Sequence, residues 1–457
     1  MKIVTLGYYG SFSRYFKYLQ KNISKLSKEI EYFNMSIYPS AHLYWKNQGE
    51  RSVFLPKEIR KVRISNIDEI GEIYKRINIE DVMKYHLQLL GIKRDTCQYR
   101  KLKIVALKYI EYFDQVFKKH NFDIFICSGD SRMFVEIAIL IAQRYNVKIF
   151  YFEQGPYDTT IIDEKGVNAN SSFRNYLIKN EIDENKLEKF ITREKSPKFY
   201  KNEYTYYALK ILDLMYLSPP LKNIFPIELV AESSFINLAI RNLKRILSLK
   251  NKIKSKLEVP KKSILLILQV PYDVQMMFNS PLFNDFTEMV EEIHKSIPRE
   301  YNLIVREHPL YIHNYDVKMY DYIKNNNILL INDLPLGEMI KQSEVIVVNN
   351  STVGLEALVH YKPLVILGDS YYDSHEVGFK VNSKDDIVIK IKEAIENNIP
   401  KNRINKFLYN LFFEYLFEGH FQDKDLKSGD TIAQHILTRF YSGQISRIGS
   451  DGHECHK

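Results

Sequence analysis

Residues 344–368, EVIVVNNSTVGLEALVHYKPLVILG, contain an apolar run, a helical segment and a second apolar run. The run EVIVV is rich in β-branched residues, which predicts a buried strand that ends near Asn349. GLEALVHY has helical spacing, and PLVILG predicts the next strand. Because strands that are joined through a helix by short connections run parallel, this stretch predicts one unit of a doubly wound α/β sheet.

The same alternation occurs in two regions of the chain. The second region also includes SILLILQV, DFTEMVEEIHKSI, YNLIVREHP and NILLIND, and the first includes KIVTLG, FDIFICSG, RMFVEIAILIAQRYN and VKIFYFEQG. We therefore predict an α/β fold that is GT-B-like, with two Rossmann-like doubly wound domains facing across a cleft, a helical linker and C-terminal helices. The expected boundaries are 1–195 for the N-terminal domain, 196–261 for a basic helical linker, 262–400 for the C-terminal domain and 401–457 for the final helices and tail.

Composition and charge limit the class of protein. Of the 457 residues, 45% are hydrophobic and 26% are charged, which is typical of globular proteins and excludes a disordered chain. The net charge of +9 favours an anionic ligand or an acidic membrane surface over nucleic acid. The irregular spacing of Cys97, Cys127 and Cys455 indicates a reducing compartment, and we expect neither a signal peptide nor a spanning segment. The expected location is therefore the cytoplasm.

Polar residues follow the predicted strands of the second region, where a doubly wound sheet places its ligands. Arg306, His308 and Pro309 come after YNLIV. An arginine offers a planar fork to phosphate, and a histidine can donate a hydrogen bond or a proton to a phosphate oxygen. The alternative is a histidine that only satisfies a neighbouring group.

A second polar loop follows EVIVV and carries Asn350, Ser351, Thr352, Gly354 and Glu356. Hydroxyl groups and free backbone N–H groups at a helix start can form an anion site without a metal. The glycine allows close approach, and the glutamate can accept hydrogen bonds from ribose hydroxyls. An ordinary helix N-cap is the alternative, but the pairing with the histidine loop points to a nucleotide phosphate held between the two loops.

The loop after the first strand of the second region carries Gln269, Asp273 and Gln275, and Ser280 follows shortly after. These side chains suit a hydroxyl-rich ligand and are candidate substrate-binding residues. Turn chemistry explains the aspartate equally well.

An acidic loop follows VKIFYF and contains Glu153 and Asp158 before it reaches Asn168. If the predicted cleft transfers a sugar, the reaction needs a base for the acceptor hydroxyl or a carboxylate nucleophile. Glu153 and Asp158 are the candidates, and which residue has which role stays open. Asn168 is a further candidate for substrate binding.

These motifs resemble those of bacterial capsule polysaccharide biosynthesis proteins that transfer Kdo, 3-deoxy-D-manno-oct-2-ulosonic acid, from CMP-Kdo. The similar segments are QVPYDVQ with NSP, REHP, NNSTVGLEAL followed by KPLVILGDSYYD, and the EQG loop that leads to GVN. The resemblance implies a glycosyltransferase that takes a CMP-sugar as donor substrate and uses no cofactor and no metal.

The resemblance also implies residue roles. His308 would bind the CMP phosphate, Ser351 and Thr352 would hold it, and Glu356 would contact the ribose. Residues 262–400 would then be the donor side and residues 1–195 the acceptor side.

In the acidic loop, Asp158 falls nearest to the carboxylate that the resemblance implies as nucleophile in retaining β-Kdo transferases, and Glu153 falls on the other acidic position. The expected partners are a nucleotide sugar, a glycan or glycolipid acceptor and the anionic inner membrane surface, with no nucleic acid. Residues 235–257 form a basic amphipathic segment that predicts peripheral membrane contact or an interdomain helix packed on the core.

Other functions remain open. The protein could be a sialyltransferase or use another nucleotide sugar, or it could be a non-catalytic protein that binds glycolipid during capsule assembly or export. His453, Cys455 and His456 are too few and too near the chain end to predict a metal site.

Overall fold

A computed structural model describes residues 1–64, 77–194, 204–217, 227–229 and 258–451. The chain divides into two compact units, each assembled from separate stretches of sequence. Unit 1 comprises Met1–Val167, Glu194–Ile236 and Leu416–Lys457, and unit 2 comprises Asn168–Arg193 and Asn237–Tyr415. The predicted basic segment 235–257 and the tail residues His453, Cys455 and His456 lie outside the described residues.

Unit 1 begins with alternating strands and helices. Its strands are β1 (Lys2–Gly7), β2 (Glu31–Ser36), β3 (Ser52–Phe54), β4 (Ile124–Ser128), β5 (Lys148–Gly155) and β6 (Thr159–Asp163). Its helices are α1 (Gly10–Leu26), α2 (Pro39–Asn47), α3 (Leu55–Lys61), α4 (Ile79–Leu89), α5 (Cys97–His120) and α6 (Met133–Arg144). Every residue of β4 is buried, as expected for a parallel strand that is covered on both faces.

Strand β6 corrects the sequence-based interpretation of residues 153–172 as an acidic loop. Thr159–Asp163 pairs antiparallel with the end of β5, and all five of its residues are buried. The segment TTIID is rich in β-branched residues, which fit a pleated and buried surface. The acidic residues in and beside this segment concealed the strand pattern in the sequence.

Two helices follow in separate units. Helix α7 (Glu184–Thr192) belongs to unit 2, and α8 (Tyr204–Leu217) belongs to unit 1.

Unit 2 contains a six-stranded sheet in which every neighbouring pair is parallel. Its strands are β7 (Ser263–Ile267), β8 (Asn302–Arg306), β9 (Leu329–Leu330), β10 (Val345–Val348), β11 (Leu364–Ile366) and β12 (Phe379–Lys380), in the spatial order β12-β11-β10-β7-β8-β9. The remaining helices of this unit are α9 (Val274–Phe278), α10 (Phe286–Ser296), α11 (Val317–Asn325), α12 (Leu336–Gln342), α13 (Val353–Val359), α14 (Ile387–Glu396) and α15 (Lys401–Asn410).

The chain then returns to unit 1 through β13 (Phe417–Glu418) and α16 (Ser428–Asp451). The sheet of unit 1 has the order β13-β6-β5-β4-β1-β2-β3, with β6 and β13 antiparallel to their neighbours. Helix α16 packs beside α1, where Ser428 lies within hydrogen-bond distance of Tyr15 at 3.0 Å.

The predicted α/β class is confirmed: two α/β domains, each built on a largely parallel sheet, with further C-terminal helices. The division into units differs from the contiguous boundaries expected from the sequence, because α16 packs on the N-terminal unit and residues 168–193 on the C-terminal one. Among the described helices, none is long and apolar enough to cross a bilayer.

Candidate functional site

Three loops of unit 2 meet at the carboxyl edge of its sheet. They are the β7 loop (268–273), the β8 loop (307–316) and the β10 loop (349–352), which follow the three adjacent strands β8, β7 and β10. The strand order reverses between β7 and β10, since β8 and β9 lie on one side and β11 and β12 on the other. Doubly wound sheets bind their ligands at such a switch point.

Hydrogen bonds join the three loops. The hydroxyl of Tyr315 accepts from the backbone N–H of His308 at 3.1 Å and donates to the carbonyl of Gln269 at 2.9 Å. The Gln269 side chain in turn donates from Nε2 to Oδ1 of Asn350 at 3.0 Å. The loops that the sequence places far apart therefore form one hydrogen-bonded assembly.

His308 is held in a defined protonation state. Its Nδ1 lies 3.2 Å from the backbone N–H of Leu310 and accepts a hydrogen bond from it. Burial lowers the pKa of the half-buried imidazole below its usual value, so the ring is neutral near pH 7. A neutral imidazole that accepts at Nδ1 carries its proton on Nε2, which makes Nε2 a hydrogen-bond donor. Pro309 follows it and is exposed.

Glu307 positions the β8 loop, a role that the sequence analysis did not assign. The residue is 2% exposed, and its carboxylate accepts from the Tyr320 hydroxyl, the Asn332 amide and the backbone N–H of His313. A buried carboxylate with three donors fixes the segment that carries His308. The motif REHP contains this residue, but its burial depends on distant partners.

Arg306 is only partly available to a phosphate. Its Nη1 donates to the carbonyl of Leu334 at 2.7 Å. Burial lowers the pKa of the guanidinium, and the negative charges of Glu356 and Asp333 oppose this shift. Glu356 therefore acts electrostatically on Arg306 in addition to any contact with a ribose.

Asn350 and Ser280 hold the loops together, and their contact with a ligand stays a prediction. The Asn350 amide donates to the carbonyls of Gln275 at 3.1 Å and Asn279 at 2.8 Å. The buried Ser280 hydroxyl donates to the carbonyl of Phe283 at 2.7 Å. Both donor groups are therefore committed within the protein.

The other predicted substrate-binding side chains also have local contacts. Asp273 caps α9 by accepting from the backbone N–H of Gln275, and the Gln275 side chain accepts from Asn279 at 2.9 Å. Asn168 starts a short 3₁₀ turn at a φ of 54°, a left-handed conformation that asparagine tolerates. In contrast, Oε1 of the buried Gln269 has no hydrogen-bond partner among the described residues. It is an acceptor at the switch point.

The start of α13 differs from the predicted phosphate-binding helix. Ser351 accepts from the backbone N–H of Val353 at 3.3 Å, while Thr352 is exposed and makes no capping bond. The helix spans only Val353–Val359, so its dipole is small. The hydroxyl groups, rather than the helix, are the groups that can contact a phosphate here.

Gly354 makes room for a tyrosine, which corrects the expectation that a ligand approaches it. A Cβ at this position would lie 2.7 Å from the hydroxyl oxygen of Tyr372. That hydroxyl donates to the carbonyl of Ser351 at 2.6 Å. Tyr372 belongs to the motif GDSYYD, so its presence was visible in the sequence, but its position over the β10 loop was not.

Asp373 in the same motif pairs with Arg174. The guanidinium donates from Nε to Oδ1 at 3.0 Å and from Nη2 to Oδ2 at 2.7 Å. This bidentate pair fastens the turn Ser172–Asn175 to the segment after β11 within unit 2.

In unit 1, the two predicted catalytic carboxylates have different settings. Glu153 lies in β5 just beyond the last residue that pairs with β4, and its Oε2 is 3.9 Å from where a Cβ on Gly129 would be. It therefore sits at the carboxyl edge of the parallel sheet. Asp158 lies in the hairpin turn to β6 at a φ of 53°, and its carbonyl accepts from the N–H of Gly419 at 3.0 Å.

Gly155 closes this hairpin. A Cβ there would come within 3.1 Å of the backbone carbon of Thr159, its partner in the pairing of β5 with β6. The glycine of the EQG motif is thus explained by the turn. Among the described residues, no three His, Cys, Asp or Glu side chains are grouped so that they could hold a metal ion.

Comparison with protein families matches residues 123–417, well over half of the chain, to the family described as capsule polysaccharide biosynthesis protein. The capsule polysaccharide export protein KpsS of Escherichia coli is 30% identical over 129 residues, which are 25% of this chain and 32% of that protein. The capsule polysaccharide modification protein LipB of Neisseria meningitidis serogroup A is 26% identical over 294 residues, 58% of this chain and 67% of that protein. The matched part therefore spans about a third of the length of the Escherichia coli relative.

Among solved structures, the Thermosulfurimonas dismutans KpsC β-Kdo 2,7-transferase aligns over 70% of this chain and 89% of that chain, with 12% identity and a TM-score of 0.36. Identity and TM-score at this level do not indicate a shared activity.

Proposed function

Because the chain belongs to the capsule polysaccharide biosynthesis protein family, we propose that it is a glycosyltransferase that moves Kdo, or a related 2-keto sugar acid, from a CMP-activated donor to a glycan or lipid-linked acceptor. The observation that carries this proposal is the assembly of the β7, β8 and β10 loops at the switch point of unit 2. It presents a neutral imidazole, amide groups and hydroxyls at the edge where such sheets bind nucleotides.

The proposed donor site uses uncharged hydrogen-bond donors for the most part. The Nε2–H of His308 would donate to a phosphate oxygen of CMP, and the hydroxyls of Ser351 and Thr352 would donate to others. The remaining N–H groups of Arg306 would offset the charge that develops as the phosphate leaves. These groups need no metal to stabilise the leaving group.

The proposed acid–base chemistry belongs to unit 1. Glu153 lies at the carboxyl edge of the sheet, whereas Asp158 lies in a hairpin turn beyond it. The position of Glu153 favours it as the base that deprotonates the acceptor hydroxyl or as the nucleophile, with Asp158 as the alternative.

A second candidate function is a non-catalytic role in capsule assembly or export. The name of the Escherichia coli relative, a capsule polysaccharide export protein, favours it. Placement at the cytoplasmic face of an anionic membrane rests on the basic segment 235–257 alone, and salt-sensitive binding to anionic liposomes is its test.

The first test is the melting temperature in the presence of CMP, UDP or GDP. CMP should raise it most, because a ligand at 100 times its Kd stabilises the folded state by about 2.7 kcal/mol. His308→Asn keeps an acceptor in place of Nδ1 but removes the Nε2 donor, so it should lose most of the shift, and His308→Gln should retain more. His294→Asn, a half-buried histidine on α10, is the matched control.

Turnover of CMP-Kdo with Glu153→Gln and Asp158→Asn separates the two functions. Loss of about 100-fold or more in one variant would assign the chemistry to that residue. Preference for UDP would overturn the CMP donor, and binding of CMP without any turnover would favour the non-catalytic role.

A further inference from the structure

Unit 1 has a switch point of its own, which the carboxylates discussed above do not fill. Strand β1 lies between β2 and β4, and the chain order reverses there, since β2 and β3 lie on one side and β4 and β5 on the other. The segments that follow β1 and β4, residues 8–9 and 129–132, therefore flank the same position at the carboxyl edge. Arg132 ends the second segment, immediately before α6.

Tyrosines surround the Arg132 guanidinium. Its central carbon lies 5.3 Å from the ring centroid of Tyr8 and 5.3 Å from that of Tyr85. Its Nη1 is 3.4 Å from the hydroxyl of Tyr38, and the ring of Tyr9 stacks on Tyr38 with centroids 4.9 Å apart. Three segments far apart in sequence thus converge on one half-buried cation.

No carboxylate balances this cation. Arg132 makes no ion pair with an acidic side chain among the described residues, and its contacts are with tyrosine rings and a tyrosine hydroxyl. The nearby Asp130 accepts from the backbone N–H of Val167 at 3.1 Å and from Ser131. Glu136, one turn along α6, has a pKa raised to about 7 by burial and by Asp130 and Asp81, so half of it is protonated near neutral pH.

The position of Arg132 at the start of a helix adds to the uncompensated positive charge. Arg132 occupies the N-cap position of the 12-residue helix α6, where the backbone N–H groups already produce a positive potential. A partly desolvated guanidinium in such a place is costly unless an anion pairs with it.

We propose that Arg132, with Tyr8, Tyr38 and Tyr85, binds the oxyanion of a sugar that carries a carboxylate or phosphate group. The planar guanidinium fork matches either oxyanion. The buried Tyr38 and Tyr85 hold the guanidinium in place, and the partly exposed ring of Tyr8 can contact the C–H groups of a sugar. Glu153 lies close by: its Oε2 and the hydroxyl of Tyr8 are both 3.9 Å from where a Cβ on Gly129 would be. The bound sugar would therefore lie beside a carboxylate that can deprotonate a hydroxyl.

The binding of this sugar involves no nucleotide and is independent of the proposed function. Only the further step, that the sugar is the acceptor of the transfer reaction, rests on the proposed function. Calorimetric titration without nucleotide tests the binding with three probes: methyl glucuronide, glycerol phosphate and the neutral methyl glucoside. We expect binding of one or both anions, weakened by salt, and no binding of the glucoside. Preference for the glucuronide identifies a sugar carboxylate, and preference for glycerol phosphate identifies a phosphate.

The variants are Arg132→Gln, which removes the charge, and Arg132→Lys, which keeps the charge but not the fork. Arg132→Gln should weaken anion binding about tenfold or more, and Arg132→Lys should weaken it less. Arg144→Gln, at the other end of α6 and 43% exposed, is the control and should bind as the unchanged protein does. An unaltered melting temperature of each variant shows that unit 1 remains folded.

The proposal is wrong if neither anion binds the unchanged protein, or if Arg132→Gln binds anions as tightly as the control. Failure of the CMP shift with retained anion binding would reject the nucleotide-dependent function and leave this site standing.

Discussion

The space above the α-carbon of Gly354 is occupied by the ring of Tyr372, whose hydroxyl donates to the carbonyl of Ser351. One missing methyl group thus lets a tyrosine fasten the loop that carries two candidate phosphate-binding hydroxyls. Another glycine of unit 2, Gly337, has no such neighbour: a Cβ there would meet only His360, at 3.8 Å. At this scale, the glycine is explained by packing and its effect on a ligand is indirect.

Gly354→Ala should therefore lower the free energy of unfolding by about 1–3 kcal/mol, because the ring must move to admit the methyl group. Gly337→Ala, in α12, should be neutral or stabilising by up to about 1 kcal/mol, since alanine favours the helix. Urea denaturation measures both. Equal effects of the two substitutions would show that the contact with Tyr372 does not determine the loss of stability in Gly354→Ala.

Among the elements, α16 has the largest consequence for unit 1, since it covers α1 and one face of the sheet. Its buried residues Ile432, Ala433 and Ile436 belong to the core cluster that contains Phe16 and Leu19 of α1. Thr160 of β6 also donates to the carbonyl of Gly419 at 2.7 Å, just before this helix. The N-terminal sheet is therefore completed by the C-terminal part of the chain.

Ile436→Ala should destabilise the protein by about 2–4 kcal/mol, because it removes buried methyl groups and leaves a cavity against α1. Ile104→Ala on α5 changes the same residue type in the same unit, but this side chain is 42% exposed, so its effect should be below about 1 kcal/mol. Chemical denaturation monitored by circular dichroism compares them. A similar loss for both would mean that α16 contributes little to unit 1.

For the whole molecule, the pH dependence of stability depends on Glu136 and His86, because burial shifts their pKa values in opposite directions. Burial raises the pKa of Glu136 to about 7, so this group contributes stability below its unfolded value near 4.5 and loses it as the pH rises through 7. Burial lowers the pKa of His86 to about 4, so its contribution is present above about 6.5 and is lost as the pH falls through 4. The two effects oppose each other between about pH 4.5 and pH 6.5, where both groups titrate.

Glu136→Gln isolates the first effect. The variant should be more stable than the unchanged protein at pH 8, by about 1 kcal/mol because solvent screens the partly exposed carboxyl, and equally stable at pH 4.5. Denaturation midpoints at both pH values measure the difference, and Glu31→Gln, at a residue 78% exposed, is the control. A difference that is the same at both pH values would contradict the raised pKa.

Local patterns in the sequence were sufficient for most strands of the second sheet, for β1, β4 and β5 of the first, and for the loops that carry His308 and Ser351. A buried parallel strand requires a continuous apolar run, and a helix with one buried face requires apolar residues that repeat every three to four positions. Both patterns can be recognised within a few consecutive residues. The position of a loop at the carboxyl end of a strand follows from the chain direction alone. The α/β class and the positions of these loops were predictable for this reason.

Contacts between distant segments required the tertiary structure. The burial of Glu307, the link through Tyr315 and the packing of Tyr372 on Gly354 each depend on which loops become neighbours. The strand β6 was concealed by its acidic end, and the tyrosines around Arg132 come from three separate segments. No local period specifies these contacts, because they depend on how the strands are ordered in the sheet and on how large side chains fill the space between them.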